Sequence, residues 1–131
     1  VKDLDRIAPL AAVLTGGFMG SAARAGVGEA IHSSPGTFPL ATFAVNIAGA
    51  FLLGLYLARR ERSVNPRWSL QFWAIGGLGS FTTFSTFSVG VVKLIDAGST
   101  GTAIVYVASS TLLGLAAAIL GDRIGSVEWA T

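Results

Sequence analysis

Four long stretches of this chain carry no charged residue. They run from Ile7 to Ala23, Ala30 to Ala58, Trp68 to Val92 and Ala97 to Gly121. A helix that crosses the hydrocarbon core of a bilayer needs about 20 mostly apolar residues, within a range of about 17–25. Each stretch meets that length, and four together are foreign to a soluble chain. Backbone amides and carbonyls find no water in lipid, so helices, which satisfy them internally, are expected over strands. The pattern predicts an all-α membrane protein. Its four transmembrane helices lie near 7–29, 38–58, 68–92 and 99–121, in a single domain over residues 1–131.

Composition narrows the class further. Charged residues make up 12% of the chain, about half the roughly 25% of an average soluble domain. The absence of cysteine excludes a disulfide scaffold and a cysteine-bound zinc. A net charge of +2 is too small to build a nucleic-acid face. Lys2 and Arg6 precede an apolar run and Ser21-Ala22-Ala23 supplies small residues, which imitates a secretory signal. Three further spans make a membrane protein regardless. Gly16, Gly20 and Arg24 read as a packed helix edge rather than a cleavage region.

Four spans put the N-terminus, the second loop and the C-terminus on one side. That side holds seven basic residues: Lys2, Arg6, Arg59, Arg60, Arg62, Arg67 and Arg123. The other side holds two, Arg24 and Lys93. Basic residues in short loops stay cytoplasmic, so both termini are expected in the cytoplasm and the chain in the inner (plasma) membrane. Trp68 and Trp73 then fall at the cytoplasmic end of the third span, a favourable place for amphipathic rings.

The third span is more than an anchor. Gly76, Gly77 and Gly79 lie near its middle, each worth about 1 kcal/mol less than alanine in a helix. Two readings stand for the glycines alone: a helix break whose exposed backbone holds ions, or close packing through small residues. Thr82, Thr83, Ser85, Thr86 and Ser88 then place five hydroxyls within seven residues. One or two could bond back to their own helix. Five cover most of its circumference, so some must face protein or water. Phe81, Phe84 and Phe87 recur every three residues, on a face that drifts around the helix. Aromatic ring edges are positive, and edges with hydroxyl donors suit an anion.

The run Thr82-Thr83-Phe84-Ser85-Thr86-Phe87-Ser88 resembles the signature of the Fluc/CrcB fluoride channel family. Gly16-Gly17-x-x-Gly20-x-x-x-Arg24 resembles that family's first helix. Thr42-Phe43-x-x-Asn46-x-x-Gly49-x-Phe51-x-x-Gly54 resembles its second, and Tyr106-x-x-x-Ser110 its fourth. Each pattern is weak alone. All four in order, in a four-span chain of this length, make a specific match.

The resemblance implies a passive channel that lets toxic fluoride leave the cell down its electrochemical gradient. A membrane potential supplies about 2.3 kcal/mol per charge per 100 mV, and the chain has no ATP motif. It further implies an antiparallel dimer with two pores and a structural sodium ion at its centre. The sodium would be held by backbone carbonyls of Gly79 and Thr82 from both subunits. The pore would carry Phe84 and Phe87 as ring edges and Asn46 as an amide donor. Ser85 and Thr86 would continue as a polar track, with Tyr106 and Ser110 as hydroxyl donors on one face of the fourth helix. Arg24 is a candidate vestibule residue and equally an interface anchor. Neutral donors replace water around fluoride without trapping it as a lysine would, and no cation lies between residues 68 and 92.

Three positions depart from the family pattern. Ser80 stands where a second glycine is usual, Gly90 where a glutamate often follows, and Ala41-Thr42 where Gly-Thr is usual. The charge bias also bears on the partner. An antiparallel dimer of one sequence must insert both ways, which needs balanced loops. Seven basic residues against two, with four arginines between Arg59 and Arg67, predict a fixed orientation and a related, oppositely biased chain as partner.

Other classes fit less well. A proton-coupled multidrug transporter needs a carboxylate within the membrane, and only Glu29 approaches a span. A non-conducting partner subunit would have no need of Asn46, Phe84 and Phe87. The single histidine, His32, has no nucleophile–base arrangement beside it, so no enzyme is expected.

Overall fold

The computed structural model describes residues 4–34, 36–62 and 64–127; Lys2 lies outside them. Helices account for almost all of it: α1 (Leu4–Ala30), α2 (Leu40–Glu61), and α6 (Thr100–Ser126) are long and continuous. Between them the third span is assembled from α3 (Arg67–Leu70), a π-helical stretch π1 (Gln71–Leu78), α4 (Gly79–Phe81) and α5 (Phe84–Asp96). Among the described residues, four helical segments are long and apolar enough to cross a membrane: Ile7–Ala30, Leu40–Glu61, Trp68–Asp96 and Thr100–Ser126. The third is bent by 12°.

The span ends differ from the charge boundaries for physical reasons. α2 starts two residues later than expected because Pro39, at its N-cap, has a non-helical ψ of 72°. α5 and α6 run past Lys93 and past Asp122 and Arg123. A charge ends a lipid-facing stretch, but it does not interrupt the hydrogen-bond ladder, and a base in the last turn favours the helix dipole. α5 closes in a tight turn onto α6. The Ser99 amide bonds the Leu94 carbonyl at 2.8 Å and the Gly98 amide bonds Ile95 at 2.9 Å. This 6→1 and 5→2 pairing requires a left-handed residue, supplied by Gly98 at φ 74°.

Gly76 and Gly77 do not break the third span; they let it lie against α1. A Cβ at Gly16 would collide with the Phe72 carbonyl, one at Gly20 with the Gly77 carbonyl, and one at Gly76 would sit 2.6 Å from the Val13 carbonyl. Small residues that admit close backbone approach are the usual means of helix association in lipid. α2 packs along α6 by the same device, with Gly54 against the Ala118 carbonyl and Gly121 against the Phe51 carbonyl. The buried centre lies at the opposite end from the arginine loop, where Leu94, Ala103 and Tyr106 meet Phe38, Phe43, Phe87 and Val91. Large apolar side chains such as Leu10, Leu14 and Phe18 face outward, as expected of a chain whose solvent is lipid.

Candidate functional site

The helix break falls at Thr82 and Thr83, just after the glycines. Both residues are extended, with φ/ψ of −78°/161° and −151°/122°. An isolated break in lipid would strand its peptide groups, and here a side chain from α2 satisfies those of Thr83. Asn46 Nδ2 donates to the Thr83 carbonyl at 3.0 Å, and the Thr83 amide donates to Asn46 Oδ1 at 2.8 Å. Gly49, one turn along α2, leaves room for Thr82: a Cβ there would collide with the Thr82 methyl.

Thr83 then restarts the helix. Its buried hydroxyl is the N-cap of α5 and accepts from the Thr86 amide at 3.1 Å. The same oxygen lies 3.1 Å from the Thr86 hydroxyl and 3.2 Å from that of Ser85. The five hydroxyls therefore divide. Thr82 and Ser88 bond back to the Leu78 and Phe84 carbonyls, while Thr83, Ser85 and Thr86 form a cluster.

These bonds also redirect two amides. In an unbroken helix the Thr83 amide would bond the Gly79 carbonyl and the Thr86 amide the Thr82 carbonyl. Asn46 and the Thr83 hydroxyl take them instead. The carbonyls of Gly79 and Thr82 are thus among those at the break that lose their helical donors, and both residues border an open cavity of about 370 Å³ shared with Asn46 and Phe84.

Beyond the break, five rings form a continuous series. Phe84 and Phe87 lie 5.9 Å apart between centroids, Phe87 and Tyr106 5.0 Å, Tyr106 and Phe38 5.1 Å, and Phe38 and Phe43 5.2 Å. The series begins at a ring that is 80% exposed, Phe84, and has a fully buried ring, Tyr106, at its middle. Phe81 leaves the face expected for it. The extended residues change the helical phase, and Phe81 lines an apolar groove with Gly20 and Leu52 instead. Among the described residues, the hydroxyls of Tyr106 and Ser110 are buried without a hydrogen-bond partner. Thr42 lies beside Tyr106, outside hydrogen-bond geometry.

Arg24 reaches the same region from α1. It lines a cavity of about 240 Å³ with Ser21, Thr42, Thr83 and Thr86. A larger cavity, about 620 Å³, shares Thr42 and Thr86 and lies between the loop after α1 and the end of α5.

The family model described as CrcB-like protein, Camphor Resistance (CrcB), matches residues 11–122, which include the break and every side chain placed around it. The chain belongs to the CrcB family. It is 45% identical over 122 residues to a protein of Streptomyces avermitilis named "Fluoride-specific ion channel FluC 3", covering 92% of this chain and 60% of that protein. It is 43% identical over 114 residues to "Fluoride-specific ion channel FluC" of Oceanobacillus iheyensis, covering 86% and 87%. The protein of that name in Acidobacterium capsulatum is 40% identical over 117 residues, covering 87% and 93%.

In this CrcB-family chain the tertiary structure gathers Asn46, Phe84, Ser85, Thr86, Phe87 and Arg24 around the start of α5, with Tyr106 one ring away. Asn46 is an interhelical clasp as well as a polar side chain facing the break. In the sequence Thr83 stands out only as one of five hydroxyls in the signature run, and Phe38 does not stand out at all. Thr83 carries a legible signal, a threonine three residues before the residue whose amide it caps. Phe38 carries none, because its ring partner Tyr106 is sixty-eight residues away.

Proposed function

We propose that this chain is a subunit of a passive fluoride channel. The observation that carries the reading is the Asn46-clasped break in the third span. It ends in a hydroxyl cluster and the Phe84–Phe87 pair, in a chain whose relatives are named for fluoride. Fluoride holds its water tightly, so a pore must offer replacement donors without a strong trap. Ring edges of Phe84 and Phe87, the second N–H of Asn46, and the hydroxyls of Ser85, Thr86, Tyr106 and Ser110 form such a neutral set. The unpartnered hydroxyls of Tyr106 and Ser110 support that role, since buried donors normally find a protein partner. Arg24 would draw anions to the Thr83–Thr86 end.

The assembly in this reading is an antiparallel dimer in the inner membrane, with both termini of this chain in the cytoplasm. Phe84, 80% exposed in the single chain, supports a second subunit covering it. The carbonyls of Gly79 and Thr82 fit a central sodium ion, because oxygen donors released from a helix ladder suit a hard cation. A bound sodium would supply fixed positive charge between the subunits. The seven-to-two charge bias favours a partner that is a related chain with the opposite bias.

The test is fluoride efflux from liposomes, with chloride as control. Fluoride-selective efflux with the purified chain alone supports the channel and overturns the fixed orientation. Efflux only on co-expression with an oppositely biased relative supports both. No efflux in either case overturns the channel.

A further inference from the structure

We propose that the cavity bordered by Lys93 is a second anion-collecting site, which feeds the same Thr42–Thr86 pair as the cavity of Arg24. The inference rests on the channel reading and assigns a role to a residue that had counted only toward membrane orientation. The cavity holds about 620 Å³, ample for a hydrated small anion. Three of its lining residues, Thr86, Gly90 and Lys93, are spaced i, i+4 and i+7 on α5 and so share one face. They make a line from the threonine floor to the ammonium, with Asp96 further out toward the helix end.

Gly90 lets α5 lie close to the wall of that cavity: a Cβ there would approach Pro39 Cγ at 3.2 Å and Tyr106 Cε1 at 3.4 Å. The second observation is the shared floor. Thr42 and Thr86 line both this cavity and the one holding Arg24. Two cations, one on α1 and one on α5, therefore converge on one pair of hydroxyls. The cavity also carries Asp96, three residues beyond Lys93 on α5, so Lys93 is the charge nearer to Thr86. A cation that dominates the field of a cleft raises the local concentration of counter-ions by about 10-fold or more. Lysine is a compact, strongly hydrated charge, suited to attracting an anion that must then move on. The competing role of Lys93 is that of a base favouring the last turn of α5. That role involves no anion and predicts no salt-dependent effect on flux.

The experiment measures initial fluoride efflux from vesicles of neutral lipid, for the chain alone or with its co-expressed partner. Lys93→Gln is expected to slow efflux about tenfold at about 10 mM salt and far less at about 1 M, where the screening length falls to about 3 Å. Asp96→Asn, which removes the outer acid, is expected to speed it. Lys93→Cys gives a second readout, because the chain has no other cysteine. A cationic methanethiosulfonate should restore the rate and an anionic one should depress it, on the same folded protein. Unchanged efflux of Lys93→Gln at low salt overturns the proposal. So do equal losses at both salt concentrations, or like effects of the two reagents. A wild-type chain that passes no fluoride, alone or with its partner, overturns the channel reading instead.

Discussion

Asn46 holds the Thr83 peptide by both of its polar groups, accepting from the amide at 2.8 Å and donating to the carbonyl at 3.0 Å. Two peptide bonds of α5's entry depend on one side chain of α2. The break in the third span is thus a joint between two helices, made stable in lipid because it leaves none of the Thr83 backbone groups unpaired.

Asn46→Ala is expected to lower stability by at least about 2 kcal/mol, the cost of two backbone groups left without partners, and to abolish fluoride efflux. Unfolding in mixed detergent micelles reads the first effect. A variant as stable as wild type would show that the joint holds without the clasp.

Thr83→Val removes the N-cap of α5 and the centre of the hydroxyl cluster. The expected loss is about 1 kcal/mol, with efflux reduced. Thr83→Ser keeps the oxygen and should restore both, which separates the hydroxyl from the methyl.

Tyr106→Phe tests a group that the fold does not use. Its hydroxyl is buried without a hydrogen-bond partner, so its removal should leave stability unchanged or raise it by about 1 kcal/mol. Fluoride efflux should fall nonetheless. A loss of stability would assign the hydroxyl to folding rather than to the ion.

Gly20→Val should prevent folding, because its Cβ would meet the Gly77 carbonyl, and neither backbone can move without separating α1 from π1. Gly26, in the same helix, has nothing within 4 Å of a Cβ. Gly26→Ala should therefore stabilise by up to about 1 kcal/mol. Thermal unfolding of the two variants checks the contrast.

The spans were legible because lipid imposes one requirement, about twenty residues without charge, and that requirement is local in sequence. The importance of residues 76–88 was legible from the same local signal, since glycines and hydroxyls are conspicuous in an apolar helix. Their division of labour was not. Glycine permits both a break and close packing, and the choice depends on what lies opposite. Gly16 and Gly20 lie opposite Gly77, and Gly17 opposite Gly76, so these glycines pack and the break passes to Thr82 and Thr83.

The sequence by itself determined the class of the protein: a four-span helical membrane chain, with an unusual third span whose residues resemble a fluoride-channel signature. Only the tertiary structure decided where that span breaks and which groups gather there. Asn46 meets Thr83 across thirty-seven residues, and Tyr106 joins Phe38 and Phe87 from a different helix. Helix periodicity states which side chains share a face; helix packing alone states which faces meet, because it is set by the close approach of distant backbones.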